Sequence, residues 1–395
     1  MKLLQRHANP RFRLSRLLAR VDLVAEVIHS PGNRVLLLPH GGDFFPELFA
    51  AIGAAQRSIH IEFYIIRNDA TGALFAQALL AAAGRGVQVL LIYDAFGCFD
   101  APDSYFQHLK RAGIHCLPFN PPAFSKPHWL DIRDHRKQVI IDGQTVFLGG
   151  LNVGDEYSGF GESLTRWRDV GIRLDGPTAR ELQRLFLQTW EEEAGHPLAV
   201  DAVTVTADPV VQGTADVIII DGRPHQNRPV IRNAFRVAMS GAEHRIRIIT
   251  PYFVPGPRVV RSLLRAVRRG VQVEIILPSI SDVPLVQMMS RAYLKPLLEA
   301  GVEIYQRQGT ILHAKVMLVD GRWVTLGSAN LDFRSFHRNY EINVIIDSEE
   351  FGRQVDTLFN EELAKSQRFD LAAHQARGWL ERLLAWLLTP LSRFI

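Results

Sequence analysis

The sequence predicts an α/β protein built as two similar α/β/α-sandwich domains, an internal duplication with one active site at their interface. Three observations predict it. First, one stretch occurs twice with identical spacing: His135-x-Lys137-x4-Asp142 running on to Gly149-Gly150-Leu151-Asn152, and His313-x-Lys315-x4-Asp320 running on to Gly327-Ser328-Ala329-Asn330. Second, the elements ahead of each copy repeat down to the letters. Arg85-Gly86-Val87-Gln88-Val89 matches Arg269-Gly270-Val271-Gln272-Val273, and Ala112-Gly113-Ile114 matches Ala300-Gly301-Val302. In each pair a helix ends at glycine and a strand follows, which is how helix C-termini are commonly closed. Third, a chain of 395 residues that is 47% hydrophobic and 22% charged has ample material for two cores and is no disordered polymer. A repeat of strand–helix units this long makes two layered domains.

Residues 1–30 mix Arg11, Arg13, Arg16 and Arg20 with Phe12, Leu14, Leu17, Leu18 and Val21, the pattern of a basic amphipathic helix. It fits a membrane surface and equally a helix packed on the domain with its arginines in water. No signal peptide is read at the N-terminus, since Lys2 and Arg6 lead into His7, Asn9 and Pro10. Pro31-Gly32-Asn33 reads as a turn. The first domain, 31–200, then alternates. Strands are expected at Val35–Leu38, Ile59–Ile66, Val87–Tyr93 and Ile114–Leu117. Helices are expected at Phe45–Ala55, Ala73–Ala83 and Tyr105–Ala112. The acidic, then Pro- and Gly-containing segment Glu193–Val211 reads as a connection. The second domain, 201–370, repeats the order. Its helices are Val230–Met239, Pro257–Arg269 and Leu285–Ala300; its strands are Ile246–Thr250, Val271–Leu277 and Val302–Tyr305. The tail, 371–395, crowds Trp379, Trp386, several leucines and Phe394 among Arg377, Arg382 and Arg393, with Pro390 interrupting. It reads as an amphipathic helix lying in a membrane surface, the alternative being a helix docked on the core or on a second subunit. No apolar run approaches the roughly 20 residues that span a bilayer.

The net charge of +4 suits an anionic partner without choosing between lipid and nucleic acid. Cys98 and Cys116 make no disulfide framework, which points to a reducing, cytoplasmic setting.

The repeated stretch carries the chemistry. His and Lys two apart on a strand share a face, and the apolar run that follows has buried-strand character. Lysine occurs at only seven positions against a total of 45 Lys and Arg, yet each copy has one. A compact ammonium acts as a point charge, a role arginine fills poorly. One copy alone offers a nucleophile without an acid. Two copies face to face offer two imidazoles and two ammoniums around one anion, which suits a phosphodiester. One His would attack phosphorus to give a phosphohistidine, and the other would protonate the leaving alcohol; residue spacing does not say which does which. Lys137, Lys315, Asn152, Ser328 and Asn330 would hold the phosphate oxygens. Asp142 and Asp320 belong to the same motif, but their place just ahead of glycine reads as turn or ion-pair structure. No metal is expected, because paired lysines repel a cation, and no cofactor is needed for a symmetric transfer.

At His135, Lys137, Asp142 and His313, Lys315, Asp320 the chain resembles the phospholipase D superfamily, from about Gly32 to Asp347. Within it the chain is most similar to the bacterial cardiolipin synthases. Ile61–Ile65, Asn152–Tyr157, Trp167-Arg168-Asp169, Thr250–Pro255 and Asn330–Ser335 support this. Gly150 departs from the serine that many relatives carry. The resemblance implies His135 as nucleophile and His313 as acid, with crossed supporting carboxylates: Glu341 to His135 and Asp169 to His313. It implies a peripheral enzyme on the cytoplasmic face of the cell membrane, acting on phosphatidylglycerol and possibly a second phospholipid donor, with an anionic membrane surface as partner and no nucleic acid. A hydrolase making phosphatidic acid, a nuclease of the same superfamily and a lipid-binding protein with a silent site are the rivals. Phe124, Trp129, Tyr157 and Phe160 are candidates to line a lipid route. An oligomer remains open.

Overall fold

Among the described residues of the computed structural model, every strand joins one mixed sheet of sixteen strands. The structure describes residues 27–122, 131–159, 167–196, 210–224 and 229–378, with 385 and 388. In chain order the first half contains β1 (Val27–Leu38), α1 (Gly41–Ala54), β2 (Ser58–Phe63), α2 (Ala70–Gly84), β3 (Gln88–Asp94), α3 (Asp103–Arg111) and β4 (His115–Phe119). There follow β5 (Arg133–Asp134), β6 (Lys137–Ile141), β7 (Thr145–Gly149), α4 (Asp155–Ser158), β8 (Gly171–Asp175) and α5 (Thr178–Ala194). The second half contains β9 (Ala215–Gly222), α6 (Val230–Gly241), β10 (Arg245–Ile249), α7 (Gly256–Arg268), β11 (Gln272–Pro278), α8 (Pro284–Glu299) and β12 (Glu303–Arg307). It closes with β13 (Val316–Val319), β14 (Trp323–Gly327), α9 (Phe333–His337), β15 (Asn339–Asp347), α10 (Glu349–Ala364), β16 (Ser366–Arg368) and α11 (Leu371–Gln375). The helices and strands expected between residues 31 and 370 form, most of them displaced a few residues at their ends, while β1 starts at Val27, well before the expected Val35.

The sheet order is β16-β12-β11-β10-β13-β14-β15-β9-β1-β8-β7-β6-β2-β3-β4, with β5 paired to β15. Read outward from the junction of β9 and β1, the two halves run through corresponding strands. Side chains alternate across it. Val139 and Ile141 pack with α1, α2 and α3, and Met317 and Val319 with α6, α7 and α8. Ile140, Val316 and Leu318 point the other way, into a core shared by α5 and α10 that runs unbroken through both halves. The sandwich is therefore two-layered twice on one face and continuous on the other.

Three expectations are corrected here. Residues 27–30 are strand, not the end of a helix; residues 1–26 lie outside the described set. Pro31-Gly32-Asn33 is not a turn between domains but an irregularity inside β1, where the register shifts between Ser30 and Asn33 and Gly32 takes φ +87°. The chain stays extended because β1 changes partner there: Val27–Ser30 pair with β9, and Arg34–Leu38 pair with β8. β1 thus belongs to both halves, and no boundary falls at residue 31. Third, the described part of the tail is docked. α11 lies against α8, Ala385 is buried, and Leu388 packs against the cluster of Val254, Val286 and Met289. The rest of the tail lies outside the described residues.

Asp142 and Asp320 have matching structural duties. Both adopt left-handed backbone, φ +53°. Asp142 accepts from the backbone N–H of Gln56, Arg57 and Ser58 at 2.8–2.9 Å, and Asp320 from Glu243, His244 and Arg245 at 2.8–2.9 Å. Each ties the end of β6 or β13 to the start of β2 or β10, as the structural reading of their place before glycine expects. Replacing either by Ala should lower stability by about 1–3 kcal/mol, read as the shift of a denaturation midpoint. Turnover per folded molecule should stay near the parent value; a hundredfold loss in kcat with unchanged stability would return these residues to the chemistry.

Candidate active site

Each motif histidine stands where its strand has not yet begun, and each is fixed by backbone of the other half. Arg133 and Asp134 pair in parallel with Asn339 and Tyr340, and His135 N–H donates to Tyr340 O at 2.9 Å. The next residue on that strand is Glu341, whose Oε1 and Oε2 lie 2.9 and 3.0 Å from His135 Nδ1. The other half repeats this arrangement. Leu312 bridges to Arg168, His313 N–H donates to Arg168 O at 2.7 Å, and the following Asp169 places Oδ2 2.6 Å from His313 Nδ1. The crossed pairing expected from resemblance is what the backbone builds. A carboxylate only accepts, so Nδ1 of each ring carries the hydrogen and Nε2 is left for chemistry.

The motif lysines are buried beside the rings. Lys137 Nζ donates to His135 O at 2.6 Å and lies 5.3 Å from the centre of the Tyr64 ring. Lys315 Nζ donates to His313 O and sits 2.9 Å from Nδ1 and 3.2 Å from Nε2 of that ring. Burial pulls Lys137 down to about 7, against the attraction of Glu341 and with repulsion from Lys315. Burial lowers Lys315 as well, opposed by Asp169. Burial likewise takes His135 down to about 4, although Glu341 opposes it, and lowers His313 together with Lys315. The mutual influence of Lys137, Lys315, Glu341 and Asp169 places the four in one site. Burial thus disfavours the charged form of both lysines and both histidines, a cost that an incoming phosphate between them would offset.

The remaining expected residues divide. Asn152 accepts from Ile65 N–H at 3.2 Å and donates to Tyr157 OH at 2.9 Å, which leaves one amide hydrogen for a ligand. Asn330 is buried, and its Oδ1 has no partner among the described residues. Ser328 is a correction: its hydroxyl donates to Glu341 Oε2 and receives Ile342 N–H at 3.0 Å, so it holds the carboxylate and not the phosphate. The departure at Gly150 has a steric cause. A Cβ there would lie 2.2 Å from Asp169 Oδ1. The shorter Asp169 draws its carboxylate into the space that Ser328 occupies beside Glu341 in the other half, so a small residue and a short acid go together.

Aromatic rings wall the site. Tyr64 lies 5.0 Å from His135; Trp167, Tyr157 and Tyr252 lie 5.2, 5.7 and 6.4 Å from His313. Tyr157 was expected there; Phe124, Trp129 and Phe160 lie outside the described residues. Tyr64 and Tyr252 were not given a role from sequence, although each is the first aromatic residue after the corresponding strands β2 and β10. Asp282 was also missed. It accepts from Tyr252 OH at 2.5 Å and its charge acts on His313 and Lys315.

Beneath the first motif lies a buried ionic network that the matching residues of the second copy do not build. Arg136 contacts Glu62, Thr189 and Asp221. Gln138 donates to Glu62 at 2.6 Å, and burial with the charge of Glu62 raises Asp134 well above the carboxylate range. The matching residues of the second copy, Leu312, Ala314 and Val316, are apolar and buried.

A family model described as cardiolipin synthase, PLD-like domain, matches residues 48–190 and 235–363. The cardiolipin synthase of Geobacillus thermodenitrificans is 34% identical over 368 residues, covering 92% of this chain and 73% of the relative. The probable cardiolipin synthase YwiE of Bacillus subtilis is 34% identical over 351 residues, 89% of this chain and 70% of the relative. Among solved structures, phosphatidylserine synthase of Haemophilus influenzae matches with TM-score 0.72 at 14% identity, covering 96% of this chain and 97% of that one. That likeness establishes the fold.

Gly150→Ala should push Asp169 off His313 and cut kcat by about 10²-fold, the usual cost of misplacing a catalytic group by an ångström. Ser328→Ala removes one hydrogen bond to a carboxylate that keeps its histidine, and should cost about tenfold or less. Steady-state kinetics of the two variants, with parent-like unfolding profiles, decide the matter; an unimpaired Gly150→Ala enzyme would remove Asp169 from its place.

Proposed function

The chain belongs to the cardiolipin synthase family of phospholipase D-like proteins and is a phosphatidyltransferase of that type acting on phospholipids; from this premise we propose how its own residues carry out the transfer. One observation supports the reading above the others. Two imidazoles are each held at Nδ1 by a carboxylate from the opposite half, with two buried ammoniums beside them.

The phosphodiester of a phosphatidylglycerol enters between Lys137 and Lys315. Its charge raises the proton affinity of the histidine that serves as acid. His135 Nε2 attacks phosphorus, the bond from phosphorus to the glycerol headgroup breaks, and His313 gives its Nε2 proton to the departing oxygen. The phosphatidyl group is then bonded to His135, whose positive ring Glu341 stabilises. His313 is now neutral. It takes the proton from the terminal hydroxyl of a second phosphatidylglycerol, that oxygen attacks phosphorus, and His135 leaves. Two phosphatidylglycerols become cardiolipin and glycerol, with no net change in protons. Ser328 and Asn339 both donate to Glu341, which supports His135 as the residue that bears the covalent charge.

No helix among the described residues is long and apolar enough to cross a membrane. We place the enzyme peripherally on the anionic cytoplasmic face. Water in place of the second lipid would give phosphatidic acid by the same site.

Mass spectrometry of products from phosphatidylglycerol vesicles tests the reading. Cardiolipin and glycerol in equal amounts are expected, unchanged by EDTA and absent from His135→Ala and His313→Ala. Phosphatidic acid as the main product would make the enzyme a hydrolase, and a strict metal requirement would overturn the two-histidine site.

A further inference from the structure

The internal repeat puts two corresponding loops at the mouth of the site. β3 lies parallel to β2, so the loop 95–102 leaves the sheet beside Tyr64; a Cβ on its Gly97 would lie 2.0 Å from Tyr64 O. β11 lies parallel to β10, so the loop 279–283 leaves beside Tyr252, whose hydroxyl donates to Asp282. These loops carry bare apolar side chains. Nine large apolar residues are exposed among the described ones; Phe96, Phe99, Ile280 and Val283 lie on these loops and Leu285 follows at the start of α8, with Phe99 72% and Ile280 59% exposed. Such clustering on a surface marks an interaction site.

Both loops are held in shape. Asp94 Oδ1 accepts from Phe96 N–H at 3.0 Å and Gly97 N–H at 2.8 Å, and the buried Cys98 Sγ accepts from Ile66 N–H at 3.2 Å. Ser281 Oγ accepts from Val283 N–H at 3.1 Å, and Gln287 donates to Pro278 O and Ser279 O at 3.2 and 2.8 Å. The phenyl and isoleucyl groups are thus presented outward by anchored backbone.

A basic cluster stands at the same edge. Val254 N–H donates to Leu331 O at 2.9 Å, which sets the start of α7 beside α9. There Arg232 Nη1 lies 3.0 Å from His337 Nε2. Burial lowers both groups, His337 to about 4, and the charges acting on them add to it by repulsion: Arg258 and Arg236 on Arg232, and Arg232 and Arg258 on His337. Arginines gathered against their own repulsion are matched by an external anion.

We propose that the loop tips at Phe99 and Ile280, together with Arg232 and Arg258, form the surface on which the enzyme docks to an anionic phospholipid bilayer, the tips entering the acyl boundary and the arginines meeting lipid phosphates. The inference rests on the phosphatidyltransferase reading, which puts the substrate in that bilayer. Docking by this rim holds the mouth between Tyr64 and Tyr252 against the membrane, so a lipid reaches the histidines without crossing water.

The test is sedimentation of the full chain with phosphatidylcholine vesicles, with and without phosphatidylglycerol, alongside turnover of detergent-dispersed phosphatidylglycerol. Phe99→Ser with Ile280→Ser should lower partitioning at least tenfold on both vesicles and leave detergent turnover within about twofold. Arg232→Gln with Arg258→Gln should remove most of the gain from phosphatidylglycerol and its salt sensitivity. Parent-like partitioning of both variants would overturn the proposal in favour of the chain termini. Equal losses in vesicle binding and detergent turnover would overturn it in favour of a folding role. Partitioning needs no turnover, so a failure of the transferase chemistry would show separately, as loop-dependent binding without product.

Discussion

The site depends on the crossing of backbone between halves just ahead of each motif histidine. His135 donates to Tyr340 O and His313 to Arg168 O, and in each case the next residue along is the carboxylate that takes Nδ1. Neither half can orient its own imidazole. The duplication therefore yields one site rather than two, and the shared core under α5 and α10, with β1 paired to both β8 and β9, keeps the halves in the register that the crossing needs.

Within that symmetry the two copies have diverged in ways that chemistry can use. The pair Ser328–Glu341 surrounds the carboxylate of His135 with donors, while Gly150 clears room for the shorter Asp169 at His313. His135 stands between Asp134 and Arg136, over fully buried charges; His313 stands between Leu312 and Ala314. Buried ion networks of this kind add little net stability but are costly to break. Here the network fixes the segment that presents His135, which suits the proposed role of that residue as bearer of the covalent intermediate.

Much of this was legible in the letters. The apolar runs Val139-Ile140-Ile141 and Val316-Met317-Leu318-Val319, and the glycines that close the repeated helices, located the strands and helices because those signals are local. The paired motifs located the histidines and lysines because their spacing is repeated. What was not legible depends on the other half of the molecule. Ser328 reads as a phosphate ligand until Glu341 is seen beside it, and Pro31-Gly32-Asn33 reads as a turn until β9 and β8 are seen to continue each other across it. Tyr64, Tyr252 and Asp282 join the site only through tertiary packing, at unequal distances from their histidines along the chain. The apolar tips at Phe99 and Ile280 gave no periodic signal at all, since their meaning lies in exposure.

The central claim is that both histidines serve one phosphate in different roles. A phosphatidyl ester of p-nitrophenol needs no acid for its leaving group, so it isolates the nucleophile. Rapid mixing with His313→Ala should give a burst of p-nitrophenol equal to the enzyme present, with the phosphatidyl adduct mapped to His135 by mass spectrometry. His135→Ala should give no burst. A burst from His135→Ala, or an adduct on any residue other than His135, would contradict the assignment.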